Sequence, residues 1–361
     1  MRESLVDRAT IERLFLIAGA VRAGIVDALA AGGPATAAHV AAEAGADDRA
    51  TLVVLEALVG EGLVERVGPI PEPPVRAGGP GGEGAAATGA SAPAGAPAAT
   101  GVSAPGVAGP SATLYRLTSL AIAHLVHAGP QQERWGLLHQ ARKARGWLEL
   151  PEVIQTGRPT PRDPAKRDVK TMVSAMGERD PEILDEIVDR CLSYAGPIQS
   201  MVDIGGAVGH VARAFSRCGV RATLFDRPAV VPVAREYLGE EGRDIALLEG
   251  DFTEALPEGP FDLVYFGNVY HIYSPATNAR VTREAYSSVP PGGVIAIQDY
   301  VWGRSPRAAI FAVNMLQATD EGGVWSEAQF REWLKDAGFA KIEMFDLETA
   351  GTQLVLATRP L

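Results

Sequence analysis

The chain has 361 residues, 33 Lys and Arg against 44 Asp and Glu, and a formal net charge of −11. That length favours two domains over one, and 47% apolar residues is ample for buried cores. The acidic balance argues against a nucleic-acid partner, which draws on clustered Lys and Arg. No apolar run reaches the roughly 18 residues of a membrane span, and Met-Arg-Glu-Ser-Leu-Val-Asp at the start lacks the apolar core of a signal peptide. Cys191 and Cys218 have no His or Cys neighbours at metal-ligand spacing, so no metal is expected, and isolated reduced thiols fit the cytoplasm.

In chain order, residues 5–30 carry apolar side chains at helical spacing, and Gly32-Gly33-Pro34 stops that helix. Shorter helices are predicted over Thr36 to Ala44 and Asp48 to Glu61, with N-caps at Ala35-Thr36 and Asp47-Asp48. Leu63 to Val67 and Thr113 to Leu117 alternate like strands. Helices followed by two paired strands describe a winged-helix unit. Between the strands, residues 68–111 are almost all Gly, Ala, Pro, Ser and Thr, with too little apolar bulk to offset ordering entropy; a disordered insertion in the wing is expected. From Ser119 to about Ala195 the pattern is helical and connecting, with breaks at Gly129-Pro130 and from Gly157 to Pro164.

Beyond that point short strand-like runs alternate with helices. Strands are predicted at Ser200 to Ile204, Arg221 to Phe225, Ile245 to Glu249, Phe261 to Phe266 and Val294 to Gln298. Helices are predicted at His210 to Cys218, Val230 to Leu238 and Ala276 to Ser288. This alternation marks a doubly wound α/β sheet of parallel strands. A helix from Ser326 to Gly338 then leads into Ile342 to Leu347 and Thr352 to Ala357, whose short connection makes a hairpin and forces one strand antiparallel.

Three features fall at the carboxyl ends of successive strands, where open sheets bind ligands. Asp203-Ile204-Gly205-Gly206-Ala207-Val208-Gly209 lets backbone approach a ligand closely. Asp226 ends the second strand and can accept hydrogen bonds from both hydroxyls of a ribose. Asp251-Phe252 follows the third, offering an acceptor for an adenine amino group and a ring contact. No Lys or Arg lies in the glycine loop and Asp203 would repel a pyrophosphate, so a sulfonium nucleoside suits the site better than a dinucleotide.

On these motifs the chain resembles the small-molecule S-adenosylmethionine-dependent O-methyltransferases with an N-terminal winged-helix dimerisation domain, of bacterial natural-product and plant phenylpropanoid type. Asp203 to Gly209 matches that family's cofactor loop, Asp226-Arg227-Pro228 its ribose site, and Gly250-Asp251-Phe252 its adenine site. Gly267-Asn268-Val269-Tyr270-His271 matches the stretch ending in the catalytic base, and Pro291-Gly292-Gly293 precedes the fifth strand. The resemblance implies a dimerisation domain over 1–125, a helical linker over 126–195 that contributes to the substrate pocket, and a Rossmann-like domain over 196–361. It implies a cytoplasmic homodimer that takes a small aromatic hydroxyl compound of secondary metabolism. It makes His271 the general base and Asp299 its orienting carboxylate, with Asp203, Gly205, Gly206, Gly209, Asp226, Arg227, Asp251, Phe252, Gly267 and Asn268 on the cofactor. Met172, Met176, Tyr270, Phe311, Asn314, Met315 and Trp147 would line the substrate pocket. Imidazole titrates near about 6.5 and can take a phenolic proton.

Four departures stand against the pattern. Ala207 replaces a usual glycine, and Ile272-Tyr273 replaces Asp-Trp. The segment Gly322 to Ser326 is one residue short, and no acid falls where a second carboxylate flanks the histidine, although Glu321 lies nearby. They leave open C- or N-methylation, or a hydroxylase or decarboxylase on the same fold and cofactor. A nicotinamide dehydrogenase is disfavoured by the closing hairpin. A DNA-binding ligand-sensing regulator is disfavoured because Asp47 to Glu56, where a recognition helix would lie, is acidic and apolar.

Overall fold

The computed structural model describes residues 7–71, 113–126, 132–161, 168–177, 181–347 and 350–361. They form two compact units, Met1–Arg134 and Trp135–Leu361. The insertion expected at 68–111 lies, from residue 72 onward, outside the described residues, as does the break at Gly129-Pro130.

The first unit opens with α1 (Arg8–Arg22) and α2 (Ile25–Gly32). Periodicity alone predicts one helix here. The structure breaks it at Ala23-Gly24, where Gly24 takes φ +79° and restarts the chain in a new direction. α3 (Ala37–Ala44) is capped by Thr36, whose hydroxyl accepts from His39 N, and α4 (Asp48–Gly60) by Asp47, which accepts from Ala50 N at 2.8 Å. β1 (Val64–Val67) pairs antiparallel with β2 (Leu114–Leu117), and Ala35 bridges to Tyr115 on the other side. α5 (Ser119–Leu125) follows. Val21, Val26, Leu29, Val40, Leu55 and Leu58 form the core. Buried Tyr115 donates its hydroxyl proton to Glu56 at 2.7 Å, tying strand to helix.

The second unit begins one residue into α6 (Arg134–Leu148) and continues with α7 (Leu150–Thr156), α8 (Val169–Met176) and α9 (Pro181–Ala195). The alternating part is β3 (Ser200–Ile204), α10 (His210–Arg217), β4 (Arg221–Asp226), α11 (Val231–Leu238), β5 (Ala246–Glu249), β6 (Leu263–Gly267), α12 (Pro275–Ser288) and β7 (Val294–Asp299). It continues with β8 (Val301–Trp302), α13 (Pro306–Ala318), β9 (Trp325–Ser326), α14 (Glu327–Ala337), β10 (Ala340–Leu347) and β11 (Thr352–Thr358). Seven strands order as β10-β11-β7-β6-β3-β4-β5. β11 runs antiparallel to both of its neighbours, and the pairings among β7, β6, β3, β4 and β5 are parallel. The chain thus inserts its last strand between β7 and β10.

Both faces of the sheet are covered, which is why β7 is buried along its whole length. Phe215, Leu224 and Tyr265 pack with Ile187 of α9 on one face; Phe266, Tyr270, Phe330 and Trp333 pack with α12 and α14 on the other. Strand order reverses between β3 and β6, so loops leaving them diverge and open a crevice at their carboxyl ends. The pairing of β8 with β9 (Val301↔Trp325, Trp302↔Ser326) had no sequence signal, because two residues are too few to show a period.

Candidate active site

The loop after β3 is shaped by what it excludes. A Cβ on Gly206 would lie 2.7 Å from Asp203 Cγ, and one on Gly209 would lie 2.8 Å from Leu224 Cδ1, so both contacts require glycine. Gly205 and Gly209 take φ +68° and +79°. Ala207 also takes positive φ, +52°. The alanine is therefore not the neutral replacement that a negative φ would have made it; such a residue carries about 1–2 kcal/mol of strain. It is held there by its own N–H, which donates to Asp226 Oδ2 at 2.9 Å.

Asp226 Oδ1 accepts a second backbone N–H, from Arg227 at 2.7 Å. Burial pushes this carboxyl above its ordinary value, against the pull of those two donors, and the charge of Asp251 raises it further. A carboxylate has about four lone-pair directions, so two remain for hydroxyl donors. The Arg227 side chain is exposed, and its charge adds to the pull of its backbone N–H on Asp226. Asp251 Oδ1 accepts from Thr253 N at 2.8 Å and Thr253 Oγ1 at 2.6 Å. The Phe252 ring meets Tyr273 edge-on at 5.2 Å, and a Cβ on Gly205 would lie 3.6 Å from it. Glycine loop, Asp226, Asp251 and Phe252 thus converge at one rim of the sheet.

Across the switch point, Gly267 cannot bear a side chain, since a Cβ would lie 2.8 Å from Tyr265 Cε1. Asn268 takes φ +57° and donates its N–H to Gln298 O at 2.7 Å. The chain then makes a single 3₁₀ turn, Tyr270–Ile272. His271 Nδ1 lies 2.8 Å from Asp299 Oδ1, its backbone N–H donates to Asp299 Oδ2 at 3.0 Å, and Tyr300 N donates to Oδ1 at 2.8 Å. A carboxylate facing Nδ1 fixes the ring proton there and leaves the Nε2 lone pair as the basic one. Phe311 stands edge-on to the imidazole at 4.8 Å and stacks on Tyr300 at 4.2 Å.

Tyr270 corrects an expectation. Its ring is 1% exposed, packed among Phe266, Phe330 and Trp333, with its hydroxyl 2.9 Å from Thr282 Oγ1. It anchors the turn from the core and is not a pocket wall. What the sequence does not reveal is how the turn is held. Trp325 Nε1 and Asn278 Nδ2 both donate to Tyr270 O, at 2.8 and 2.9 Å. Gly323 N donates to His271 O at 2.9 Å, and a Cβ on Gly322 would lie 2.3 Å from that same oxygen. The short segment therefore grips the histidine main chain where a second acid was expected. Glu321 beside it is exposed and Nδ1 is already taken by Asp299. The Gly-Gly pair was the available signal for this grip; Asn278 carried none.

The remaining expected pocket residues divide. Met172 packs with Val173, Val208 and Val230 beside Ala207, next to the glycine loop, and Met176 lies one turn along the same helix, half-buried. Asn314 and Met315 are buried on α13, the helix of Phe311, and Asn314 Oδ1 accepts from Gln317 Nε2 at 3.0 Å. Trp147 is half-buried on α6. Among the described residues, no group of three or more His, Cys, Asp or Glu side chains could hold a metal ion, and no single helix is long and apolar enough to cross a membrane.

Residues 166–340 match the O-methyltransferase domain family. The tetracenomycin polyketide synthesis 8-O-methyl transferase of Streptomyces glaucescens is 30% identical over 152 residues, 40% of this chain and 44% of that protein. The 3-hydroxy-5-methyl-1-naphthoate 3-O-methyltransferase of Streptomyces sahachiroi is 26% identical over 263 residues, 67% of this chain and 74% of that one. The methyl transferase PigF of a Serratia strain is 29% identical over 168 residues, covering 44% of this chain and 48% of its own. The chain thus spans about half the length of the first and third of these relatives. The solved structure of PigF with SAH aligns with 97% of this chain and 96% of that chain at a TM-score of 0.68 and 21% identity, a likeness of fold. A methyltransferase fold, a glycine loop with paired acids on one rim and a histidine–carboxylate pair on the other thus stand in a chain whose residues 166–340 match the O-methyltransferase domain family.

Proposed function

We propose that this protein is an S-adenosylmethionine-dependent O-methyltransferase acting on a small aromatic hydroxyl compound of natural-product type, with His271 as general base. The observation that carries the reading is the 2.8 Å contact of His271 Nδ1 with buried Asp299 at the switch point, facing a rim that suits an adenosyl group. That rim fits because Gly205 and Gly206 keep side chains out of the crevice and Asp226 keeps two acceptor directions for a ribose. Asp203, Gly209, Asp251, Phe252, Gly267 and Asn268 complete the cofactor side. S-adenosylmethionine, when bound, supplies a methyl group already activated by its sulfonium.

The chain's own share of the work is alignment and proton removal. His271 Nε2 accepts the hydroxyl proton of the acceptor as its oxygen becomes nucleophilic. Asp299 holds Nδ1–H and stabilises the imidazolium that results; Tyr300 and His271 backbone N–H groups keep that carboxylate in place. Phe311, Asn314 and Met315 wall the acceptor side, and Met172 and Met176 lie toward the glycine loop. The names of the relatives, a polyketide 8-O-methyl transferase and a naphthoate 3-O-methyltransferase, support an aromatic hydroxyl acceptor.

In this reading residues 1–125 are a winged-helix dimerisation domain, 126–195 a linking region and 196–361 the catalytic domain. The first unit supports a homodimer: Ile11, Phe15, Leu120 and Ile122 expose 45–49% of their surface on α1 and α5. Free Cys191 and Cys218 accord with a cytoplasmic enzyme. Incubation with S-adenosylmethionine and a panel of natural-product phenols, read by product mass, tests the reaction. Gain of one methylene on oxygen supports it. Methylation at carbon or nitrogen, oxygen gain or loss of carbon dioxide would contradict it. Light scattering tests the dimer.

A further inference from the structure

Tyr300 occupies the one-residue gap between β7 and β8, where the chain leaves the sheet directly after Asp299. The gap is pinned on its far side, since Val301 is fully buried and its N–H donates to Gln353 Oε1 at 2.9 Å. From there Tyr300 reaches the base by two routes. Its backbone N–H donates to Asp299 Oδ1 at 2.8 Å, and that same oxygen lies 2.8 Å from His271 Nδ1. Its ring stacks on Phe311 of α13, with centroids 4.2 Å apart and planes 26° from parallel. Phe311 in turn meets the imidazole at 4.8 Å and 84°. His271, Asp299, Tyr300 and Phe311 therefore close a loop of contacts around a buried imidazole.

A hydrogen bond at Nδ1 fixes the place of one ring atom. It leaves the ring free to tilt about that contact, because χ2 of histidine is a broad torsion without sharp wells. Such a tilt carries Nε2, across the ring, off the line to an acceptor proton, and a general base must come within about 2.6–3.2 Å of the atom that bears it. A second contact away from Nδ1 removes that freedom. Among the described residues Asp299 is the one carboxylate bonded to His271, so no second acid supplies the contact. The ring of Phe311 supplies it.

Phe311 is itself half-buried on its helix, and a phenyl ring there can turn about its own broad χ2 unless something lies flat against it. We propose that Tyr300 is a positioning residue for the base. Its ring, through Phe311, sets the tilt of the His271 imidazole and so the aim of Nε2, while its backbone N–H holds the carboxylate that sets Nδ1. The proposal rests on the methyl-transfer reading for the role of His271 and adds a residue that governs it without touching the acceptor. Offset stacking is a property of the ring faces, so the Tyr300 hydroxyl has no part in it and a phenyl ring would serve.

The test compares Tyr300→Leu, which keeps apolar bulk without the stack, with Tyr300→Phe, which keeps both, in the full chain with thermal melts as the folding control. On a phenol that the wild type methylates, Tyr300→Leu should lower kcat by about tenfold and leave the acceptor KM within about twofold. Tyr300→Phe should bring kcat back to within about twofold of the wild type. A raised KM with kcat unchanged would make Tyr300 a pocket wall and overturn the proposal. So would an equal loss in both variants, which would assign the effect to the hydroxyl. A second readout needs no turnover: nitrogen-15 spectra of the histidine-labelled chain at alkaline pH, with His271 assigned by its loss in His271→Ala. A held neutral imidazole keeps its proton on Nδ1 and its two nitrogen resonances far apart; in Tyr300→Leu they should draw together as the tautomers mix, and in Tyr300→Phe they should not. If Tyr300→Leu does not fold, Phe311→Leu removes the same stack from its other side and should give the same convergence. Resonances that stay apart in the folded variant overturn the proposal. A wild type that methylates nothing would overturn the proposed reaction, and the spectra would then decide the positioning role by themselves.

Discussion

The two rims of the crevice both hold their carboxylates with backbone N–H groups, and differ in what holds the loops that supply them. On the cofactor rim, Asp226 is fixed by backbone N–H groups of Ala207 and Arg227, residues of the two loops that meet there. On the acceptor rim, Asp299 is fixed by backbone N–H groups of Tyr300 and His271 and by the imidazole, and the turn that carries His271 is gripped in its turn by Gly323 at His271 O and by Trp325 and Asn278 at Tyr270 O. The first arrangement is local and rests on glycine geometry. The second gathers strand β7, the turn after β6, helix α12 and the segment before α14. A rim built from local loops tolerates change elsewhere in the chain, whereas a rim assembled from four distant segments can be re-tuned by any of them.

That contrast can be broken in order of expected effect. His271→Ala should lower kcat by about 10²–10⁴-fold while leaving S-adenosylhomocysteine affinity nearly unchanged, because it removes the base and nothing on the other rim. A loss of less than about tenfold would contradict the base assignment. Asp226→Asn should weaken S-adenosylhomocysteine binding by about 10- to 100-fold in calorimetry, the worth of hydrogen bonds to a charged acceptor.

The same carboxylate gives a pH signature. Burial raises its folded-state pKa, so the ionised form costs stability above that raised value, and the cost vanishes below the ordinary 3.8. Ribose hydroxyls favour the ionised form. S-adenosylhomocysteine affinity should therefore fall as pH drops through the raised value, at a higher pH than an ordinary aspartate would give. Affinity that is flat down to pH about 4 would contradict this role.

Gly322→Ala sharpens the other side of the comparison. The methyl group must displace His271 O or its own loop, so kcat should fall by about tenfold with cofactor affinity unchanged. The rate should be unaltered if the segment is only a connector. The smallest effect is Ala207→Gly, which relieves a positive φ and should raise stability by about 1 kcal/mol in denaturant melts with little change in turnover.

Legibility in the sequence followed the same division. The glycine loop, Asp226 and the caps at Thr36 and Asp47 stand in contiguous motifs whose geometry follows from residue type, and the closing hairpin was plain from two apolar runs and a short turn. The break at Gly24 was hidden because glycine costs a helix only about 1 kcal/mol and so does not announce a stop. Tyr270 was misplaced because adjacent residues of a 3₁₀ turn point about 120° apart, which sends His271 toward Asp299 and Tyr270 into the core. The grip on the histidine was hidden for a third reason: it uses backbone oxygens, which any residue supplies, and two of its partners, Gly323 and Trp325, lie more than 50 positions away.

The most direct measurement is calorimetric titration of the purified full chain with S-adenosylhomocysteine at neutral pH. Saturable uptake at one site per chain is expected, abolished or strongly weakened in Asp226→Asn and retained in His271→Ala. No uptake of the spent donor, or uptake indifferent to Asp226, would contradict the claim that this rim holds an adenosyl group across from the histidine.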